Sequence, residues 1–314
     1  MGRDISWSEF SDEDFKVFKK RLRDESCLLM QWFRNQAFAT GPPLCGFELE
    51  AWLTGPDHAP SPTNERFLDE VPSPLVVPEL ARFNFEINST PLPVQGSMLS
   101  SMERELTHVW ELCRTQARLQ GAGVAAIGIL PTVTQAMLHL NNMSPLSRYQ
   151  ALNQQVMRLR GKQPMRIHID GPDPLKVEHH DVMMESVATS LQIHLQMDPG
   201  RVLRGYNAAQ ALSAPMVAVA ANSPYLFGRE LWDETRIPLF EQAVSVASFR
   251  DLQGVTLGRV TFGSGFCRES ILELFLENLH GVPVLLPMVF DEDPHWLSHL
   301  RLHNGTIWRW NRPL

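Results

Sequence analysis

The chain has 314 residues and a net charge of −7, and 44% of its residues are hydrophobic, which supports a large core and excludes a disordered chain. The acidic balance argues against a nucleic-acid-binding protein, whose contact surface would be basic. Four cysteines without a C-x-x-C pair, no apolar leader and no long apolar run predict a cytoplasmic protein with free thiols and no membrane span.

Helices and strands alternate in the predicted first half of the chain. A helix is predicted over 11–38, where apolar side chains recur at helical spacing and Ser11 with Asp14 resembles a capping box. A strand is predicted over 44–52, and a long irregular connection over the proline-rich residues 55–80. The next predicted elements are a strand over 82–88, a helix over 97–120, a buried strand over 121–130 and a helix over 146–160.

The second half continues this mixture. The predicted elements are strands over 165–170 and 187–197, helices over 201–221 and 268–279, a strand over 282–290 and an extended segment over 302–314. No repeat and no linker is visible. The sequence therefore predicts one α+β domain over 1–314 with an antiparallel sheet, in which residues 1–43 form an N-terminal helical segment.

Three predicted strands alternate large apolar residues with polar residues that can take part in chemistry. Successive side chains of a strand point to opposite faces, so each strand should bury an apolar row and present a polar row. The polar rows are Glu48 with Glu50, Glu86 with Asn88, and Gln192 with His194.

These polar rows predict a metal site if the three strands share one sheet. Carboxylate oxygens with an occasional imidazole suit Mg²⁺ or Mn²⁺, and close carboxylates repel one another unless cations neutralise them. Each row taken alone is equally explained by an exposed polar strand face. The repetition on three strands favours a site for metal-bound nucleotide phosphate, whereas His168 and Asp170 are more simply explained as solvated residues.

Five segments in a fixed order carry a resemblance to a known family. They are Phe47-Glu48-Leu49-Glu50, Phe83-Asn84-Phe85-Glu86-Ile87-Asn88, Thr189-Ser190-Leu191-Gln192-Ile193-His194, Asn222-Ser223-Pro224-Tyr225-Leu226-Phe227-Gly228 and His303-Asn304-Gly305-Thr306-Ile307-Trp308. Together they resemble the glutamate–cysteine ligase family, the carboxylate–amine ligases of the glutamine synthetase superfamily. The resemblance implies an antiparallel β-sheet funnel flanked by helices, like the catalytic domain of glutamine synthetase.

The same resemblance implies a function. It implies an ATP-dependent ligase that joins glutamate to an amine such as cysteine through a γ-glutamyl phosphate, a reaction of glutathione biosynthesis. The implied cofactors are ATP and Mg²⁺ or Mn²⁺, and the implied partners are the small-molecule substrates, with neither nucleic acid nor membrane. A homo-oligomer is left open.

The resemblance also implies roles for individual residues. By resemblance, the metal ligands are Glu48, Glu50, Glu86 and His194, the cofactor-binding residues are Gln192, Asn88 and Arg229, and the catalytic arginines are Arg236 and Arg312. A guanidinium fork matches a carboxylate or a phosphoryl group, although an exposed, ion-paired arginine is the alternative for Arg229 and Arg236. Strand alternation alone leaves open whether Arg309 or Arg312 faces the site, and Arg312 is preferred.

Chains that resemble this one continue past the segment 303–308 with a further strand that carries a carboxylate between arginines. Relative to them we expect this chain to be C-terminally incomplete: truncated, completed by another polypeptide, or a shortened paralogue. A catalytically inactive protein of the same fold that binds nucleotide or amino acid is therefore the alternative to a ligase. A metal-dependent hydrolase is a third hypothesis, which no H-E-x-x-H motif supports.

Overall fold

The computed structural model describes residues 9–38, 41–246, 249–250, 254 and 256–314. Helices and open antiparallel sheets alternate along this part of the chain, which confirms the predicted α+β class. The helices are α1 (Asp12–Asn35), α2 (Asn64–Glu70), α3 (Met98–Leu119), α4 (Ser147–Leu159), α5 (Pro199–Ala220), α6 (Arg236–Ala243), α7 (Leu272–Gly281) and α8 (Ser298–Gly305). The strands are β1 (Leu44–Thr54), β2 (Val76–Pro78), β3 (Asn84–Asn88), β4 (Leu92–Pro93), β5 (Gly123–Ala125), β6 (Met165–Ile169), β7 (Leu175–His179), β8 (Leu191–Gln196), β9 (Tyr225–Leu226), β10 (Arg229–Glu230), β11 (Phe249–Arg250) and β12 (Thr256–Leu257).

Strand β1 lies at the centre of a six-stranded sheet, and it pairs with each of its neighbours in the antiparallel direction. One edge of β1 pairs with β3 and β4, and the other edge pairs with β8 and β5. Glu48 illustrates the arrangement, because it lies opposite Asn88 on one side and opposite Gln192 on the other. The three alternating segments predicted from the sequence therefore share one sheet.

One face of this sheet rests on a hydrophobic core. Phe85 and Ile87 of β3 are fully buried there beside Ala51 and Leu53 of β1, as the alternation predicts. Helices α2 and α3 supply the facing side chains, including Phe67, Val109, Cys113 and Ala117. Since the side-chain period of a strand is two, burial of this row fixes the opposite, polar row on the other face.

The apolar row of β8 departs from the prediction. Leu191, Ile193 and Leu195 are 56%, 58% and 49% exposed, although the sequence predicted that this row is buried. The prediction is wrong here because β8 lies at an edge of the described sheet, and the hydrophobic core that covers this face of β1 and β3 includes none of these three side chains. An edge strand with an exposed apolar row is a template for pairing with a further strand.

Two predicted strands near the C-terminus are not strands. Residues 282–290 are irregular although Leu285 and Leu286 are buried. The predicted extended segment 302–314 begins with the last residues of the helix α8 and continues in turns and irregular backbone. Leu300, His303 and Asn304 are buried together, which is the i, i+3, i+4 spacing of a helix face.

Two further segments are only partly as predicted. The connection 55–80 contains α2 and β2, and only β5 is extended within 121–130. Among the helices that the structure describes, none combines the length and hydropathy that a bilayer crossing requires.

Phe85→Ala tests whether the buried row holds the sheet. We expect a loss of about 3–5 kcal/mol in the free energy of unfolding, because a fully buried aromatic ring is replaced by a cavity. Urea unfolding measures it, with the exposed Leu99→Ala on α3 as a control that should stay within about 0.5 kcal/mol of the wild type. Equal losses in both variants would contradict the assignment of this face as core.

Candidate active site

The polar rows of β1, β3 and β8 meet on the face of the sheet opposite Phe85. Glu50 lies directly opposite Glu86 in the β1–β3 register, and Glu48 lies between Asn88 and Gln192. Like charges directly opposite each other across an antiparallel pair are destabilising. The register therefore concentrates negative charge at the centre of the sheet.

A third carboxylate that the sequence analysis missed joins this pair. Glu50, Glu79 and Glu86 each place one carboxylate oxygen within 4.8 Å of the others. The backbone N–H of Leu80 donates to Glu79 Oε2 at 2.9 Å, which helps to orient that side chain. The position of Glu79 follows from the pairing of Val77 with Glu86 in the folded sheet, because residue 79 lies two positions further along and so on the same side.

Neighbouring donors orient the other two carboxylates. The backbone N–H of Ser190 donates to Glu50 Oε2 at 2.8 Å, and Gln192 Nε2 donates to Glu50 Oε1 at 3.3 Å. Asn88 Nδ2 donates to Glu86 Oε1 at 2.8 Å. The two amide side chains predicted to bind a cofactor thus contact the carboxylates.

Burial and mutual repulsion raise the pKa values of the clustered carboxyl groups. Burial, followed by the charge of Glu86, raises the pKa of Glu50 to about 8. Burial, followed by the charge of Glu50, raises the pKa of Glu79 well above its usual range, and burial with the charge of Glu48 raises that of Glu86. Burial, followed by the charge of Glu79, also raises the pKa of Glu185 to about 8. A divalent cation would favour the ionised form of all of these groups.

His194 lies next to the cluster, beside Glu48. Its Nε2 is 3.5 Å from Glu48 Oε1 and is buried without a hydrogen-bond partner in the described part of the chain. Although burial opposes it, the neighbouring His194 lowers the pKa of Glu48. The three converging carboxylates of Glu50, Glu79 and Glu86 form a donor set that fits Mg²⁺ or Mn²⁺, and His194 lies beside Glu48, outside this group.

Of the two C-terminal arginines that the sequence left open, Arg312 points toward the polar rows. Its Nη2 lies 3.5 Å from Gln192 Oε1, and the charges of Glu48 and Glu50 partly offset the lowering of its pKa by burial. Arg309 is buried elsewhere, where it donates to Glu277 and Asn278. Contacts with Glu277 and Asn278 therefore hold Arg309 away from the polar rows, and a contact with Gln192 places Arg312 beside them.

The remaining two arginines of the predicted site do not contact the carboxylate cluster directly. Arg236, at the start of α6, donates to both carboxylate oxygens of Glu234 and to the backbone oxygen of Thr189. Arg229, on the two-stranded sheet of β9 and β10, pairs with Asp173 at 2.5 Å, and both side chains are about half exposed. Arg229 thus occupies the exposed ion pair that the sequence analysis gave as the alternative.

A comparison with protein-family models matches residues 44–249 to glutamate-cysteine ligase family 2. The chain belongs to this family. The match includes the six residues of the polar rows as well as Glu79 and Arg236, whereas Arg312 lies beyond it. No curated protein matches the chain. Membership of this family identifies a ligase-like enzyme and suggests carboxylate–amine ligase chemistry.

The raised pKa values predict how the stability of the protein depends on pH in the absence of divalent cations. A carboxyl group with a raised pKa binds its proton more tightly in the folded chain, so stability falls as pH rises from the unfolded value of 4.5 towards about 8. For Glu50 the slope is at most about 1.4 kcal/mol per pH unit.

Urea unfolding in EDTA between about pH 5 and about pH 8 measures this slope. Glu50→Gln should flatten it, whereas Glu103→Gln on the exposed side of α3 should not. A wild-type protein whose stability increased across this range would contradict the clustering of the carboxyl groups.

Proposed function

We propose that the protein is an ATP-dependent carboxylate–amine ligase that forms a γ-glutamyl amide from glutamate and an amine such as cysteine. The cluster of Glu50, Glu79 and Glu86 carries this proposal, because it occurs in a chain of glutamate-cysteine ligase family 2. Three recessed carboxylates are costly to keep together unless cations neutralise them. Metal-bound nucleotide is the ligand that both the family and this charge arrangement support.

The proposed reaction has two steps. A γ-carboxylate oxygen of glutamate attacks the γ-phosphorus of ATP, and ADP leaves. The amine nitrogen then attacks the acyl carbon of the γ-glutamyl phosphate, phosphate leaves, and the nitrogen loses a proton. Phosphoryl transfer depends mainly on positioning and on charge neutralisation, so it needs no covalent contribution from the protein.

The residues of the sheet suit the requirements of these steps. Glu50, Glu79 and Glu86 would hold Mg²⁺ or Mn²⁺, with His194 as a further ligand from the neighbouring strand. When bound, the cation would supply neutralisation of phosphate charge. Arg312 supplies a recessed guanidinium that can orient an anionic substrate group beside Gln192.

Glu79→Gln tests the metal assignment. We expect the wild type to release ADP only when ATP, Mg²⁺ and glutamate are all present, and the variant to lose at least about tenfold in this rate, because an amide binds a hard cation more weakly than a carboxylate. A coupled ADP assay measures the rate, and Glu103→Gln is the control for a change of charge outside the site.

The same assay separates the competing functions. Turnover of ATP that does not depend on any carboxylate substrate would overturn the ligase proposal. Calorimetric binding of Mg²⁺-ATP without product would overturn it in favour of a non-catalytic binding protein. Absence of nucleotide binding would contradict both.

Arg312→Ala tests the anion-binding role. We expect the KM for glutamate to rise roughly 10- to 100-fold, because a charge-assisted hydrogen bond to the substrate is lost. Initial-rate kinetics at saturating ATP measure the KM, with Arg301→Ala on the exposed side of α8 as the control. An unchanged KM with a reduced kcat would contradict ground-state binding of the substrate by Arg312.

A further inference from the structure

The guanidinium of Arg236 is already committed to groups of its own chain. Its Nε and Nη2 donate to the two carboxylate oxygens of Glu234, each at 2.5 Å, and Nη1 donates to the backbone oxygen of Thr189 at 2.7 Å. Ser223 Oγ also donates to Glu234 Oε1 at 2.5 Å. The two guanidinium N–H groups that could bind a substrate carboxylate in a bidentate way therefore already bind the carboxylate of Glu234 in that geometry.

The third contact of Arg236 reaches the carboxylate cluster through a single peptide group. The Thr189 carbonyl that accepts from Arg236 and the Ser190 N–H that donates to Glu50 belong to the same planar amide. A trans amide points its C=O and N–H in opposite directions. A charged donor on the carbonyl therefore both fixes the plane of the amide and strengthens the hydrogen bond that its N–H makes to Glu50.

Other contacts anchor the chain on both sides of this amide, and Arg236 adds the one charged donor to its carbonyl among the hydrogen bonds of the described residues. Thr189 N–H donates to the Gly128 carbonyl at 2.9 Å, and Thr189 Oγ1 donates to the Ile127 carbonyl at 2.6 Å. Glu50 N–H donates to the Ser190 carbonyl at 2.9 Å. The chain on both sides is thus anchored, and the Thr189 carbonyl is the group that faces the guanidinium.

Gly128 packs closely against the guanidinium of Arg236. A Cβ atom at position 128 would lie within 2.6 Å of both Asn222 Oδ1, to which the Gly128 N–H donates at 3.0 Å, and Nε of Arg236. A side chain at position 128 would crowd both the Asn222 amide and the guanidinium, without changing the charge of Arg236. Position 128 therefore offers a second way of displacing Arg236, which acts on Asn222 as well.

We propose that Arg236 is a positioning residue, which fixes the Thr189–Ser190 amide so that the Ser190 N–H orients the Glu50 carboxylate for cation binding. This inference rests on the proposed function to the extent that Glu50 binds a divalent cation. It assigns Arg236 no contact with the substrate. Glu234 and Gly128 act through Arg236.

Arg236→Lys and Glu234→Gln test this role through Mn²⁺ affinity, measured from the signal of free Mn²⁺ in electron paramagnetic resonance. We expect both variants to bind Mn²⁺ roughly 10- to 100-fold more weakly and to lose kcat, with an unchanged KM for glutamate. Exchange of the Ser190 amide proton should be faster in both. Arg166→Lys, in the exposed ion pair with Glu178, is the matched control and should change none of these quantities.

A double-mutant cycle makes the test specific to Glu50. In a Glu50→Gln background, Arg236→Lys should have no further effect on Mn²⁺ affinity if the two residues act on the same carboxylate. Gly128→Ala should reproduce the effect of Arg236→Lys in the wild-type background. If Arg236→Lys proves unfolded by circular dichroism, Glu234→Gln and Gly128→Ala carry the same comparison.

The KM for glutamate and the affinity for Mn²⁺ together distinguish the possible roles of Arg236. A raised KM for glutamate with unchanged Mn²⁺ affinity would overturn the inference and make Arg236 a substrate-binding residue. Equal Mn²⁺ affinity in the wild type and the variants, with Mn²⁺ bound by the wild type, would overturn this inference alone. A wild type that binds no Mn²⁺ would overturn the proposed function and this inference with it.

Discussion

Glu50 and Glu86 face each other across β1 and β3, with Glu79 beside them. The electrostatic repulsion between these carboxylates is the constraint on which the surrounding structure depends. The opposite face of the sheet is anchored by buried side chains, so the carboxylates cannot separate by a shift in register. Amide donors from Asn88 and Gln192 hold the carboxylates without adding charge. The cluster is therefore held in place by the sheet itself.

The polar rows could be predicted from the sequence because strand alternation is a strictly local property. Once Phe85 and Ile87 are buried, Glu86 and Asn88 must lie on the other face, whatever the rest of the chain does. Glu79 could not be predicted in this way. It follows a strand of three residues within a proline-rich segment, and its position depends on the pairing of β2 with β3, which is a property of the tertiary structure.

The arginines show a different limit of sequence reasoning. A guanidinium fork suits a carboxylate, but the residue type does not reveal which carboxylate it meets, and Arg236 meets Glu234 two positions earlier in the chain. Strand alternation would orient Arg309 and Arg312 only in a regular strand, whereas α8 ends at Gly305 just before them. Polar partners that lie far away in sequence, Glu277 for Arg309 and Gln192 for Arg312, then decide where each side chain goes.

The close contact between Gly128 and Arg236 also has an evolutionary consequence. Because even a methyl group at position 128 would occupy the space of the guanidinium, the two positions are not free to vary independently. Relatives with a larger residue at the position of Gly128 should carry a shorter one at that of Arg236, and Glu234 should lose its charge along with the arginine. The residues at positions 128, 234 and 236 should then vary together among natural relatives.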